Sequence, residues 1–474
     1  MKIKKISDSQ IEIEKEGAMR VPVRVFTSDV LFEKLKEDKS LQQGINVATL
    51  PGIQKASYIM PDAHMGYGFS IGGVAGFDAQ EGIISPGGIG FDINCGVRVL
   101  ATNLTVEDVR PKMHELLTAL FEAVPSGVGS ESKFKLSREE MDEVLLKGAR
   151  WALERGYGEE EDLELTEEGG CFPDPDPSLV SPRAKKRGKD QLGTLGSGNH
   201  FLEIQSVDEI YDEEIARRFG ITKTGQVVIM IHCGSRGLGH QVCSDFLRKM
   251  EEQQPELADS LPDRDLMYAP AQSQIAKDYF KAMQAAANFA FCNRQIIAHQ
   301  VRKTFKEVFP GCEVKQVYDI AHNIAKLEEH DVDGVKKQLY VHRKGATRAF
   351  GPGRKEIPEK YRDIGQPILI PGSMGTASFI LVGTQKAMEI SMGSTAHGAG
   401  RVMSRSQAKR EFDAKQIKEE LAQKNIMIKS ASMRGITEEA PQVYKDVDEV
   451  VKVSHEAGIG KLVVRVVPLG VVKG

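Results

Sequence analysis

Between Gly90 and Arg98 the chain reads Gly-Phe-Asp-Ile-Asn-Cys-Gly-Val-Arg, which sets the carboxylate of Asp92 and the thiol of Cys95 three residues apart. A thiolate is a soft ligand and a carboxylate a hard one, so the pair suits a borderline divalent ion, and one sulfur can bridge two such ions. Glycines crowd both sides, from Gly66 to Gly76 upstream and from Gly87 to Gly96 around the pair. Glycine is used where the backbone takes positive φ or passes close to a ligand. Taken alone, the stretch reads equally as a buried cysteine beside a turn-forming aspartate, because free Cys is often simply a small core residue. Other residues must decide.

Four of the eleven histidines, His200, His232, His322 and His397, fall in glycine-bounded turns that follow apolar runs. Neutral imidazoles together with one thiolate and one carboxylate are what a two-ion transition-metal site requires. His64, His114, His240, His299, His330, His342 and His455 lack that setting and read as packing or surface residues. A second chemistry is suggested by Pro371-Gly372-Ser373-Met374-Gly375-Thr376-Ala377-Ser378, a loop of small residues and hydroxyls. Its backbone N–H groups can cradle phosphates, with Arg401, Arg405 and Lys473 as neutralising cations.

The elements that must position these groups are legible from periodicity. Ser57 to Leu100 reads as strands joined by tight turns, and amphipathic helices follow near Val106 to Ala123 and Arg138 to Arg155. Val227 to Ile231 is a buried strand delivering His232, and Val314 to Ile320 is a strand ending at His322. Between them the spacing predicts a long helix from Ser273 to about Phe305 with a close-packed alanine face. Pro367 to Ile370 feeds the small-residue loop, and a last strand spans Leu462 to Val467. Residues 158–190 run from acidic through Pro-Asp-Pro-Asp-Pro to basic and are expected to form an exposed charged insertion, the basic half being a solvated run rather than a phosphate contact. With no tandem repeat and no second composition regime, one domain over 1–474 is expected.

Composition sets the remaining bounds. The 474 residues, 41% hydrophobic and 27% charged, suit a soluble globular protein with a large core. No signal peptide or membrane span is apparent, so a cytoplasmic protein is expected. Six scattered cysteines without a C-x-x-C pair argue against disulfides and zinc fingers, so any metal must use cysteine singly. A net charge of −4 excludes an indiscriminate polycation, while leaving room for local basic patches.

The strings Gly90 to Arg98, Gly196-Ser197-Gly198-Asn199-His200-Phe201-Leu202-Glu203, His232-x-Gly-Ser-Arg-Gly, Ala321-His322-Asn323, Pro371 to Gly375 and His397-Gly398-Ala399-Gly400-Arg401 together resemble the motif series of the RtcB family of GTP-dependent RNA ligases. The likeness is ordered and spans Asp62 to Lys473. It implies a mixed α/β (α+β) fold with central mixed sheets around a buried metal and nucleotide cleft. It also implies an enzyme that joins RNA 2′,3′-cyclic phosphate or 3′-phosphate ends to 5′-hydroxyl ends in tRNA splicing and RNA repair, with GTP and two Mn²⁺ ions. Carried over motif by motif, Asp92, Cys95 and His200 would hold one ion and Cys95, His232 and His322 the other. His397 would take GMP covalently, with Asp62 orienting it.

Asn199, Phe201, Leu202, Glu203, Asn323, Pro371, Gly372, Ser373, Met374, Ser378, Gly398, Ala399, Gly400, Tyr444 and Lys473 would join His200 and His322 around the nucleotide. Arg236, Arg343, Arg401 and Arg405 are the expected RNA-phosphate contacts. The resemblance implies RNA as partner, archease as a helper, and the chain is expected to be a monomer. Cys233, beside the ligand His232, is either silent or an extra thiol near the ions. The rival readings are a two-metal phosphoesterase acting on cyclic phosphates, which needs no nucleophilic histidine, and a non-catalytic RNA-binding protein.

Overall fold

Two large sheets organise the chain, and the site lies where they meet. A computed structural model describes residues 1–474. The first sheet has seven strands in the order Ile3–Ser7, Gln10–Ile13, Val23–Phe26, Ile53–His64, Ile71–Asp78, Val335–Lys344 and Asn323–Val332. Its pairs are antiparallel except Val23–Phe26 with Ile53–His64. The second has eight strands, running Val314–Ala321, Gly96–Thr105, Gln226–Cys233, Phe201–Ile210, Lys461–Lys473, Ser378–Val382 and Pro367–Ile370, with Met427–Ser430 added parallel to Lys461–Lys473. The expected mixed α/β architecture is therefore present.

The strand Gln226–Cys233 shows why an unbroken apolar run belongs at a sheet centre. Successive side chains point to opposite faces, so Val228 and Met230 enter one hydrophobic core while Val227, Ile229 and Ile231 enter another. The second of these cores is closed by the helix Gln274–Val308, whose Ile297, Ala298 and Val301 pack on it. Ser273 caps that helix, its side chain accepting from the N–H of Ala276. Ala285, Ala286 and Ala287 are fully buried, so the predicted alanine face is the packed one.

Several expectations about local structure need correction. The predicted helix Val106–Ala123 is interrupted by a 3₁₀ turn, Arg110–Lys112, because Pro111 cannot donate to the helix ladder. The helix predicted to Arg155 breaks at Gly148, where φ is +56° and an added Cβ would lie 2.3 Å from the Gly170 carbonyl oxygen. The last strand outruns Val467 and reaches Lys473, its register shifting between Pro468 and Gly470.

Residues 158–190 keep most of their charges in solvent, Glu159 to Glu161 and Arg183, Lys186, Arg187 and Lys189 among them, but the segment is not a free excursion. Asp162 and Glu167 are each 1% exposed, and Arg302 of the long helix forks onto Asp162 with two contacts of 2.6 Å. Leu163, Phe172, Val180 and Ala184 enter the core beside that helix. No helix is long and apolar enough to cross a membrane.

Candidate functional site

Strand register gathers residues that are far apart in sequence. Gly96 stands opposite Cys233 on one side and Ala321 on the other, and Phe201 stands opposite His232. Four neighbouring strands therefore deliver Cys95, His232, His322 and His200 at one sheet end. Glycine is required there: a Cβ at Gly96 would sit 2.4 Å from the Ile320 carbonyl oxygen, and one at Gly234 would sit 2.5 Å from the Asp92 carboxylate.

The ligand atoms form two groups sharing one sulfur, Asp92 with Cys95 and His200, and Cys95 with His232 and His322. Cys95 Sγ lies 3.4 Å from His200 Nε2 and 3.3 Å from His232 Nε2, and the Nε2 atoms of His232 and His322 are 3.3 Å apart. An ion bound to nitrogen and sulfur at about 2.0–2.3 Å in tetrahedral geometry separates its ligands by roughly 3.4–3.7 Å, so these spacings are close to the edges of coordination polyhedra.

Hydrogen bonding supports the same conclusion. His200 Nδ1 lies 3.0 Å from the Leu195 carbonyl oxygen and must carry its proton there. His200 Nε2 faces Asp92 Oδ2 at 2.8 Å, with the Cys95 sulfur beside it. Burial opposes charge on His200, but Cys233, Cys95 and Asp92 raise its pKa well above the ordinary histidine value, so Nε2–H donates to Asp92. A divalent ion held by these groups would take the place of that proton.

Protonation shifts agree with a ligand role. Burial, together with the neighbouring imidazoles, pushes His232 and His322 far below the ordinary histidine value, leaving both neutral. Burial and the Asp92 charge push the Cys95 thiol up to about 12, so a thiolate there needs metal charge to form. Burial also raises Asp92, but the hydrogen bond and charge of His200 outweigh it and hold Asp92 below the usual carboxylate range. Cys233 is not a third-side ligand: its sulfur faces the Leu195 carbonyl at 3.2 Å and Asn293, behind His200.

One buried arginine braces three of the four segments that carry the candidate ligands. Arg294 donates to the carbonyls of Asn94 and Cys233 at 2.8 and 2.9 Å and forks onto Asp319, three residues before His322. Both Arg294 and Asp319 are fully buried. Arg294→Met leaves that carboxylate with Arg98 as its only ionic partner, and a loss on the order of 3–5 kcal/mol is expected, read by denaturant unfolding.

Across the cleft the seven-stranded sheet contributes Asp62. Its Oδ2 is 2.5 Å from His397 Nδ1 and accepts the backbone N–H groups of His397 at 2.9 Å and Gly398 at 3.2 Å. A carboxylate can only accept, so Nδ1 carries a proton, and in the neutral ring the lone pair lies on Nε2. Burial raises Asp62, but the charge and hydrogen bonds of His397 prevail and keep it ionised. Lys445, with Nζ bonded to the Pro61 and Ala63 carbonyls, adds positive charge behind this dyad. The His322 and His397 rings meet at 4.8 Å between centroids.

These groups open on a cleft of about 1120 Å³. Asn199, His200, His322, Asn323, Pro371, Gly372, Gly398, Ala399, Gly400 and Tyr444 line it, as do Arg236, Arg401 and Arg405. Glu203, Ser373, Met374, Ser378 and Lys473 are buried behind that lining. There Gln205 Nε2 joins Glu203 at 2.8 Å to Ser378 at 3.1 Å, while Glu203 Oε1 is buried without a partner. Phe201 turns its ring edge to His232. Leu202 differs from expectation, its side chain lying in the core under the long helix.

Arg343 is also corrected. It is fully buried and forks onto Glu328 at 2.6 and 2.9 Å, so it cannot meet RNA. Arg401 and Arg405 both contact Glu439, at 3.1 and 3.0 Å, a buried acid that sequence reading missed. His64 and His240, read as packing residues, line the cleft. His64 sits two residues from Asp62 and accepts the Arg401 N–H at 3.4 Å; burial pushes it down to about 3, so it is neutral.

Comparison with known proteins agrees with the motif series. The family model described as tRNA-splicing ligase RtcB matches residues 43–474. A protein named tRNA-splicing ligase RtcB from Pyrobaculum aerophilum is 58% identical over 479 residues, covering 100% of this chain and 99% of its own. Proteins of the same name from Archaeoglobus fulgidus and Thermococcus kodakarensis are 57% and 56% identical, each again covering 100% of this chain and 99% of its own. The chain belongs to the RtcB family of tRNA-splicing ligases.

Proposed function

We propose that the protein joins RNA 2′,3′-cyclic phosphate or 3′-phosphate ends to RNA 5′-hydroxyl ends, consuming GTP and using two manganese ions, with GMP carried on His397. The observation that carries this reading is the His397–Asp62 pair at 2.5 Å, set directly beside the ligand His322. A hydrolase needs no such nucleophile, whereas nucleotidyl transfer does.

Asp62 holds the Nδ1 proton, so the Nε2 lone pair is free to attack the α-phosphorus of GTP. The N–P bond forms as the bond to the bridging oxygen breaks, and pyrophosphate leaves with that electron pair. An oxygen of the RNA 3′-phosphate then displaces Nε2, which recovers its lone pair. A 2′,3′-cyclic end must first take up water, the water oxygen bonding to phosphorus as the P–O2′ bond breaks and the 2′-oxygen takes a proton. Finally the 5′-hydroxyl oxygen attacks the RNA phosphorus and gives up its proton, the bond to the bridging oxygen breaks, and GMP leaves with that electron pair. Ions bound by Asp92, Cys95, His200, His232 and His322 would supply Lewis acidity towards the phosphoryl oxygens. Thiolate, imidazole and carboxylate ligands admit manganese as well as neighbouring divalent metals.

Glu203, Ser378, Tyr444 and Lys473 would bind guanosine. Guanine offers two N–H donors on one edge, and the unpartnered Glu203 Oε1 is a matching acceptor. Burial pushes the Glu203 carboxyl up to about 8, so the empty pocket holds it protonated at neutral pH. Guanine donors favour the ionised form, and GTP affinity is expected to rise with pH until about 8 and then level. Glu203→Gln should weaken binding and flatten that profile in titrations by calorimetry. For the empty protein the sign is opposite: the stability tied to this group is full below its ordinary 4.5 and is lost as pH rises through about 8.

The direct test uses RNA with a labelled 3′-phosphate, a 5′-hydroxyl partner strand, GTP and Mn²⁺. The label should reappear inside the joined strand, resistant to phosphatase. Its release as free phosphate without joining would instead indicate a phosphoesterase.

A further inference from the structure

Outside the groups already used, one wall of the cleft remains without a role. Of fourteen large hydrophobic residues that are markedly exposed, four (Met65, Tyr67, Val128 and Val402) stand on this cleft, and Tyr67 is 64% exposed. Tyr67 packs edge-on to Phe91 at 5.9 Å, and Phe91 stacks on His240 at 5.9 Å with planes 22° apart. Phe91 immediately precedes the ligand Asp92, so this aromatic file runs from the cleft mouth to the metal ligands.

Two cations flank the file. Arg187 is bonded only to Gln241 and Arg236 to Thr194, so neither is matched by a carboxylate. Arg401 and Arg405, by contrast, are held by Glu439. Aromatic faces interleaved with unmatched cations are what single-stranded nucleic acid requires, since every base has a π-face and every step a phosphate.

We propose that Tyr67, Phe91 and His240 form a stacking track for the unpaired bases of an RNA end entering the site, and that Arg187 and Arg236 receive its phosphates. This rests on the ligase reading above. The cations favour RNA over an apolar protein partner for the same rim, and a fully charged track of this kind predicts salt-sensitive binding.

The test measures single-stranded RNA binding by fluorescence anisotropy on the full chain, with self-labelling by α-labelled GTP as a separate readout. Tyr67→Ala should weaken RNA binding roughly 5- to 100-fold, the range expected for one stacked base, with self-labelling unchanged. Tyr67→Phe should bind as the natural protein does. Arg187→Ala should lower the slope of log affinity against log salt by about 0.7, one single-strand phosphate.

Abasic nucleotides next to the 5′-hydroxyl, or alternatively next to the 3′-phosphate, should weaken binding to the natural protein but not to Tyr67→Ala, and the strand that responds is the one using the track. Unchanged affinity of Tyr67→Ala for both strands overturns the proposal. So does loss of self-labelling in a folded Tyr67→Ala protein, which would give the wall to GTP. A natural protein that binds RNA through Tyr67 yet never labels itself would fault the ligase reading and not the track.

Discussion

Cys95→Ala is expected to remove both ions and abolish joining while leaving the fold standing. The sulfur is the single atom common to both ligand groups, so its loss opens both at once. Disturbing even an outer hydrogen bond to a metal ligand costs 10- to 100-fold in affinity, and losing the shared ligand should cost more than roughly 100-fold. Metal content per chain after dialysis, together with the thiolate-to-metal absorption of the cobalt-substituted protein, gives the readout. Cys233→Ala is the control. Its sulfur faces the Leu195 carbonyl and Asn293, so metal content and the cobalt band should persist.

Asp62→Asn separates the nucleophile from the metals. In the natural protein one carboxylate oxygen accepts from His397 Nδ1 and from two backbone N–H groups, which fixes both the ring and its tautomer. An asparagine amide can donate to Nδ1 instead and move the imidazole proton to Nε2, where it blocks attack. Replacing the aspartate behind a catalytic histidine in this way typically costs on the order of 10⁴-fold in rate. Single-turnover labelling with α-labelled GTP should therefore slow by that order, with metal content unchanged. An unaltered rate would remove Asp62 from the account.

The candidate metal-binding residues were legible in the sequence because each stands at or near a strand end, most of them beside a glycine turn, and strand register does the rest. Gly96 opposite both Cys233 and Ala321 turns three sequence-distant strand ends into one cluster. His397 and Asp62 were legible through the motif series, but their 2.5 Å contact, across 335 positions, was not readable from spacing.

What the sequence hid was long-range charge pairing. Most charges of 158–190 are solvated, yet Arg302, 140 positions away, neutralises Asp162 inside the core. Arg343 looks like a phosphate contact, yet Glu328 holds it on the neighbouring strand. Glu439 organises Arg401, Arg405 and Tyr444 without any motif of its own. His64 and His240 were read as packing residues because nothing local marks the cleft they face; the position of His64 two residues after Asp62, on the same sheet face, was the available signal.

The central claim is that His397 becomes covalently attached to GMP. Incubating the protein with α-labelled GTP and Mn²⁺, digesting it and sequencing the labelled peptide by mass spectrometry tests this most directly. The account predicts one acid-labile GMP adduct on the His397 imidazole, absent from His397→Ala and retained by Tyr67→Ala. No adduct in the metal-loaded natural protein, or an adduct that survives His397→Ala, would contradict it.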